Sequence, residues 1–362
     1  MLCSFGGAAA HGRLRMNLQQ KHSAETLRVS YQELESTLER VLLNKGFEPA
    51  RAALCARLFA ETTRDGVYSH GLNRFPRFLA MIANGQIDIH ASPGRVAAVG
   101  ALERWDGNLG PGNLNAHASM ARAIALAREF GLGCVALANT NHWMRGGSYG
   151  WQAADSGMIG ICWTNTLANV PPWGASDCRV GNNPLVIGVP RSGGHVVLDM
   201  AMSQFSYGAL SSYQSRGELL PVDGGFDSEG RLTRDPAAIE ASGRALPIGY
   251  WKGSGLSLVL DMIAAMLSGG LSTVQIPRDS LKEGRLSQMF IAFNLPALDS
   301  SDFPARIADE IVTFVQLPPG SMGERVRTPG EKTLAIRAEN LRLGVPVEPK
   351  IWSHVKALSQ GN

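Results

Sequence analysis

No two cysteines in this chain stand at a CxxC or any other paired spacing. The five, Cys3, Cys55, Cys134, Cys162 and Cys178, are scattered and odd in number, which argues against a disulfide scaffold or a zinc cluster and favours a reducing compartment. Cys134 and Cys162 lie inside apolar runs and read as small core residues. No apolar run approaches the roughly eighteen residues that a membrane span needs. Neither sign of charge dominates: 34 basic residues face 31 acidic ones, a net charge of +3. That is too near neutral for nucleic acid or an anionic membrane to be the main partner. Residues 1–28 lack the apolar segment of a secretory signal. We expect them to be a disordered extension, with Met16 as an alternative initiator, and the protein to be cytoplasmic. Also missing is a G-x-G-x-x-G after a strand, so a Rossmann domain is not expected. With 362 residues, 44% of them hydrophobic, the chain can still build one large or two ordinary cores.

What is present is a change of periodicity along the chain. Ser30-Tyr31-Gln32-Glu33 has the form of a capping box; Leu34, Leu38, Val41 and Leu42 continue it as an apolar stripe that Gly46 closes. Further helices are expected from Glu48-Pro49 to about Arg64 and from Pro76 to Asn84, with His70 on the connection between them. After a weak strand around Val96–Trp105, helix and strand alternate. Asn115–Phe130 and Tyr149–Ser156 read as helices; Cys134–Ala138, Ile159–Trp163, Leu185–Val189 and Val196–Met200 read as strands. Ser203–Pro247 reads as loop-rich, Gly255–Leu267 as a long apolar helix, Met289–Leu295 as a strand, and Ala305–Gln316 and Lys332–Leu343 as helices. The expected fold class is non-Rossmann mixed α/β. Residues 29–105 and 296–362 should form a discontinuous helical domain, and residues 106–295 a mixed α/β domain, to which the resemblance given below assigns the cofactor.

Two histidines stand in glycine-rich settings, Tyr68-Ser69-His70-Gly71-Leu72-Asn73-Arg74 and Asn141-His142-Trp143-Met144-Arg145-Gly146-Gly147. Each pairs an imidazole, which titrates near neutral pH, with a guanidinium able to hold a carboxylate. Both lie beside backbone that glycine lets approach a ligand closely. A chance position near a turn explains either one, but explains the pair less well. The combination suits proton transfer on a small anionic carbonyl compound, with His70, Arg74 and His142 as catalytic candidates. Asp199 closes the apolar run Val196-Val197-Leu198; it is a fourth catalytic candidate that can orient an imidazole, or it simply caps a sheet edge. Gly249-Tyr250-Trp251-Lys252-Gly253-Ser254-Gly255 sets Lys252 and free amides at a helix start, a setting for phosphate. Thr164-Asn165-Thr166 and Asn182-Asn183-Pro184 offer short polar groups beside buried strands, or only turns. Three readings compete: a reductase, an aldolase or lyase using Lys252 as a Schiff base, and a protein that binds such an anion without chemistry. A Schiff-base lysine wants an apolar setting, whereas glycines and a helix start surround Lys252. Binding alone does not require two histidines beside arginines.

Taken in order, Ser69-His70-Gly71 with Arg74, Asn141-His142, Asn183-Pro184, Leu198-Asp199-Met200-Ala201, Lys252-Gly253 and Pro329-Gly330-Glu331 resemble the malate/L-lactate/L-sulfolactate dehydrogenase family. The resemblance runs from about Val29 to the C-terminus. It implies a nicotinamide-dependent 2-oxoacid reductase, with NADH as cofactor and NADPH as the alternative, and a homodimer. It implies that His70 is the acid that protonates the carbonyl oxygen, with His142 as the alternative. The implied cofactor contacts are His195, Val196, Val197, Leu198, Asp199, Met200, Ala201, Trp251, Lys252, Gly330, Glu331 and Lys332; Thr166 joins them. Close relatives often carry a histidine where this chain has Glu331. Many relatives also carry phenylalanine and glycine where this chain has Trp143-Met144-Arg145. That difference points away from malate and ureidoglycolate and toward members that reduce a 2-oxo sugar acid.

Overall fold

Ser30 caps the first helix as its sequence demands: its hydroxyl accepts the Glu33 amide at 3.0 Å, and the helix Tyr31–Asn44 follows. The computed structural model describes residues 27–279, 281–317 and 325–361; the extension expected over residues 1–28 lies almost entirely outside them. Arg28, the last residue of that stretch, forms strand β1 with Val29 (Arg28–Val29) and pairs with a strand near the C-terminus, Val345–Pro346. The helices Tyr31–Asn44, Pro49–Arg64 and Phe75–Ala83 share one core with the C-terminal helix Pro349–Ser359, through residues such as Leu38, Phe59, Phe78 and Trp352. Each helix carries an apolar face, and together they bury it.

Seven strands make a mixed sheet. They are β2 (Gly94–Val99), β3 (Leu102–Asp106), β4 (Leu132–Thr140), β5 (Met158–Thr164), β6 (Leu185–Val189), β7 (Val196–Met200) and β10 (Leu286–Asn294), in the order β2-β3-β4-β10-β5-β6-β7. Only β3 and β4 run parallel; every other neighbouring pair is antiparallel. The sheet is therefore not a Rossmann sheet. Helices Gly112–Phe130 and Gly147–Asp155 pack on one face, and Trp251–Ser268 packs on the other through Leu260 and Ala264. Cys162 is buried and Cys134 half-buried, each packed in these layers. No helix among the described residues is long and apolar enough to cross a membrane.

Two expectations change. Residues 94–106 belong to the sheet, not to the helical part: the Leu102–Asp106 strand adds to β4, and the exposed β2 completes a hairpin at the sheet edge. The Ser203–Pro247 stretch is not mere loop. It contains the helices Tyr207–Arg216 and Pro236–Ser242 and a small ladder of β8 (Gly225–Phe226) with β9 (Leu232–Thr233). Of the C-terminal helices, Phe303–Gln316 reaches the loop after β6 through an Arg191–Asp309 ion pair at 2.5 Å, while Glu331–Leu343 and Pro349–Ser359 pack among the N-terminal helices.

Candidate active site

The end of β4 delivers Asn141 and His142, and two short 3₁₀ turns, Tyr68–His70 and Leu72–Arg74, deliver His70. Gly71 joins those turns against the helix Pro49–Arg64. A Cβ there would lie 2.8 Å from the Thr63 amide nitrogen, and the Thr63 hydroxyl accepts the Leu72 N–H at 2.8 Å. A side chain at 71 would push the turn, and His70 with it, away from the cleft.

The two imidazoles meet. Their ring centroids are 5.7 Å apart at an interplanar angle of 23°. His142 Nδ1 accepts the Met144 N–H at 3.0 Å, so the neutral ring carries its proton on Nε2. Met144 makes that bond from φ 65°, the left-handed region that costs a non-glycine residue about 1–2 kcal/mol. His70 Nδ1 instead faces the exposed Ser69 hydroxyl at 2.9 Å. Burial, then Arg74 and Arg145, push the His70 pKa down to about 4. Burial, then Arg74, His70 and Arg77, hold His142 well below the ordinary range.

Both rings line a cleft of about 550 Å³, a size typical of small-molecule sites. Arg145, buried, lines it as well. Its Nη1 donates to Asp65 Oδ2 at 2.7 Å, and its Nε has no partner. Asp65 also receives Arg337 through two bonds of 2.8 and 2.6 Å and Arg64 at 2.8 Å. Burial raises the Asp65 pKa, but these donors outweigh it and hold the carboxyl at about 2. Arg74 does not line the cleft. It lies 3.7 Å from the buried Glu283, which Arg77 approaches to 3.5 Å. Burial, then Arg77, lower the Arg74 pKa to about 10, against the pull of Glu283. Asp199 opens onto the cleft with protein on its other sides. Its Oδ2 accepts the Gly147 N–H at 2.8 Å, at the start of the helix Gly147–Asp155. Burial raises its pKa, opposed by Arg145 and by that amide.

The opposite wall is mostly backbone. Val197, Leu198, Asp199 and Ala201 line it together with Thr328, Pro329 and Gly330. The Val197 N–H donates to the Pro329 carbonyl at 3.1 Å. At φ 90°, Gly330 draws its backbone close against β7, where a Cβ would come within 3.1 Å of Val197 N and 3.4 Å of the Trp151 ring. An extended nicotinamide dinucleotide would lie along this wall, with Trp151 and Thr166 also lining the cleft.

Of the other sequence candidates, Thr166 lines the cleft, its hydroxyl donating to Asn182 Oδ1 at 3.2 Å. His195 does not line it: Nδ1 accepts the Arg191 N–H at 3.0 Å, and Nε2 faces Asp155 at 3.0 Å. Val196, at the start of β7, and Met200 do not line the cleft, and Met200 packs on the sheet. Glu331 holds the turn at its own helix start, accepting the Thr328 N–H at 3.2 Å and pairing with Arg325 at 2.9 Å. Lys332 is exposed, as are Trp251 and Lys252, which open their helix and do not line the cleft. Sequence reasoning missed Asp65, Trp151, Glu283, Arg327 and Arg337. A tryptophan one turn beyond Gly147 was a usable signal for Trp151; the isolated acids carried none.

A family model described as malate/L-lactate dehydrogenase matches residues 29–356. The chain belongs to that family. It is an oxidoreductase of the nicotinamide-dependent 2-oxo acid type. It is 48% identical over 335 residues to the 2,3-diketo-L-gulonate reductase of Escherichia coli O6:K15:H31, a match covering 92% of this chain and 100% of that one. Malate dehydrogenase from Entamoeba histolytica superposes with a TM-score of 0.86 at 25% identity, covering 93% of this chain and 98% of the other. Sulfolactate dehydrogenase from Methanocaldococcus jannaschii does so with 0.86 at 26%, covering 92% and 97%.

Proposed function

We propose that the protein reduces 2,3-diketo-L-gulonate to 3-keto-L-gulonate with NADH, and that His70 donates the proton. The observation that carries the choice of His70 is the pair of Nδ1 contacts. His142 is tied to a backbone amide, which cannot resupply a proton, whereas His70 touches an exposed hydroxyl that can exchange one with solvent. The dihydronicotinamide supplies the hydride. His70 places its proton on the carbonyl oxygen as negative charge builds there. His142, stacked on it, orients the substrate from the neighbouring face. Arg145 faces the substrate carboxylate, and Arg74, behind the histidines, adds to the positive field that draws the anion in. Asp199 fixes the start of the helix Gly147–Asp155 and with it the cofactor wall.

A homodimer accounts for the long exposed apolar face of the helix Trp251–Ser268, including Leu258, Val259, Met262 and Met266. Trp251 and Lys252 then serve the cofactor only from a neighbouring copy. The helical part and the sheet part act as two domains closing on the cleft, and the four described cysteines, all free and two of them buried, fit a cytoplasmic setting. The Schiff-base alternative has no support in the geometry, because Lys252 is exposed and outside the cleft. Following NADH absorbance with 2,3-diketo-L-gulonate, oxaloacetate and pyruvate in parallel tests the proposal. A kcat/KM for the diketo acid no higher than for the other two would sink the substrate assignment, and faster turnover with NADPH would sink the cofactor assignment.

A further inference from the structure

Asp65 touches neither the cleft nor the reacting atoms, yet it joins three of the segments that build the site. It ends the helix Pro49–Arg64, just before the turn that carries His70. Its buried carboxylate receives Arg145, from the loop that carries His142, and Arg337, from the helix that follows Gly330, as well as its neighbour Arg64. The guanidinium of Arg337 lies 4.8 Å over the ring of Trp151, and Trp151 lines the cleft beside Gly330. Asp65, Arg64, Arg145, Arg337 and Trp151 also line a second, half-open pocket of about 360 Å³, so the cluster stands between two cavities.

A carboxylate that only bolted two helices together would need Arg337 alone, since the two-bond pair satisfies both oxygens. Bringing in Arg145 as well costs desolvation, leaves its Nε without a partner, and sets three positive groups around one negative. Arg145 makes no other ion pair among the described residues. The geometry points to Asp65 as a positioning residue: through Arg145 it fixes the His142 loop against the His70 turn, and through Arg337 and Trp151 it fixes the Gly330 wall. This inference rests on the reading of His70 as proton donor for its first half only; the second half concerns NADH alone.

The charged and titratable groups that bear on the outcome are these. His70 faces Arg74, Arg145 and the His142 ring. Asp65 faces Arg64, Arg145, Arg337 and, at longer range, Glu61; Arg337 also feels Asp155. Removing the Asp65 charge leaves Arg145 uncompensated beside His70, which disfavours the imidazolium further.

The test uses the full chain, with NADH affinity read by fluorescence titration and turnover by steady-state kinetics across pH. Asp65→Asn is expected to lower kcat by about 10²-fold, the scale of a displaced catalytic group. It should also weaken NADH binding and move the protonation limb of kcat/KM to lower pH. Arg337→Met should weaken NADH binding roughly fivefold, as loss of a cation–π contact allows, with kcat at saturating NADH kept within about twofold. Lower melting temperatures in both variants, with kcat, NADH affinity and the limb unmoved, would mean a bolt and overturn the inference. Where Asp65→Asn does not fold, an unchanged NADH affinity in Arg337→Met overturns it. Turnover retained in His70→Asn overturns the proton-donor reading instead, and leaves the NADH arm to judge Asp65.

Discussion

One wall of the cleft is made of side chains and the other of backbone. The His70–His142 wall concentrates imidazoles and guanidiniums whose charges are set by burial and by the acids Asp65 and Glu283 behind them. The Val197–Gly330 wall is drawn together by a backbone hydrogen bond and a close glycine contact. A proton has to be moved by a titratable group, so the first wall must be chemically specific. A dinucleotide needs shape and hydrogen-bonding backbone, so the second must be geometrically specific. The two should therefore fail differently when altered.

The largest effect belongs to the first wall. His70→Asn should lower kcat by roughly 10²–10⁴-fold, the span of general acid catalysis, with NADH affinity unchanged in the same titration. His142→Ala should raise KM for the keto acid more than it lowers kcat; a collapse of kcat there with near-normal turnover in His70→Asn would exchange the two roles. The second wall should respond in binding. Gly330→Ala places a side chain at φ 90°, 3.1 Å from Val197 N. The strain of about 1–2 kcal/mol in that region should weaken NADH roughly tenfold and leave kcat at saturation close to wild type.

Acidity distinguishes the walls more gently. In the free enzyme His70 holds its proton only toward about pH 4, so kcat/KM for reduction should climb as pH falls from neutrality toward that value. In the complex the substrate carboxylate offsets the guanidinium charge, so the matching limb in kcat should lie at higher pH. Coincident limbs would mean that the anion does not sit beside Arg145. The same depressed pKa has a stability consequence. Its contribution is complete above the ordinary histidine value and is lost as pH falls toward about 4, which thermal unfolding at a series of pH values can follow. The smallest effect is expected from Lys252→Ala. NADH affinity should fall by only a few-fold, and more than substrate affinity, because the lysine is exposed and its attraction is screened. An unchanged NADH affinity removes Lys252 from the cofactor site.

The contrast between the walls also explains what the sequence made legible. His70 and His142 stood out because a chemical residue type beside glycine is a local signal. So did the helix Tyr31–Asn44, with its cap and apolar stripe. The helix Tyr207–Arg216 escaped because only Leu210 is buried on it, leaving no periodic face to read. β2 was assigned to the wrong part because an exposed edge strand carries no hydrophobic alternation. Glycines around Lys252 marked a true helix start, yet its distance from the cleft depends on how that helix crosses the sheet. Arg74 illustrates the same limit. Its chemistry was visible in the sequence, but its partner Glu283 comes from a distant segment that only the folded chain brings near.

The pairing of Arg28–Val29 with Val345–Pro346 has a consequence for synthesis on the ribosome. The strands from Gly94 to Asn294 can find one another before the residues beyond them are made. The helical part, by contrast, waits for the strand Val345–Pro346 and for the helix that carries Trp352. His70 precedes those strands in the chain, but its supporting core is completed only by residues that follow them. A nascent chain thus folds its sheet before its acid is fixed, and both the Gly330 wall and the His70 turn await the later helices.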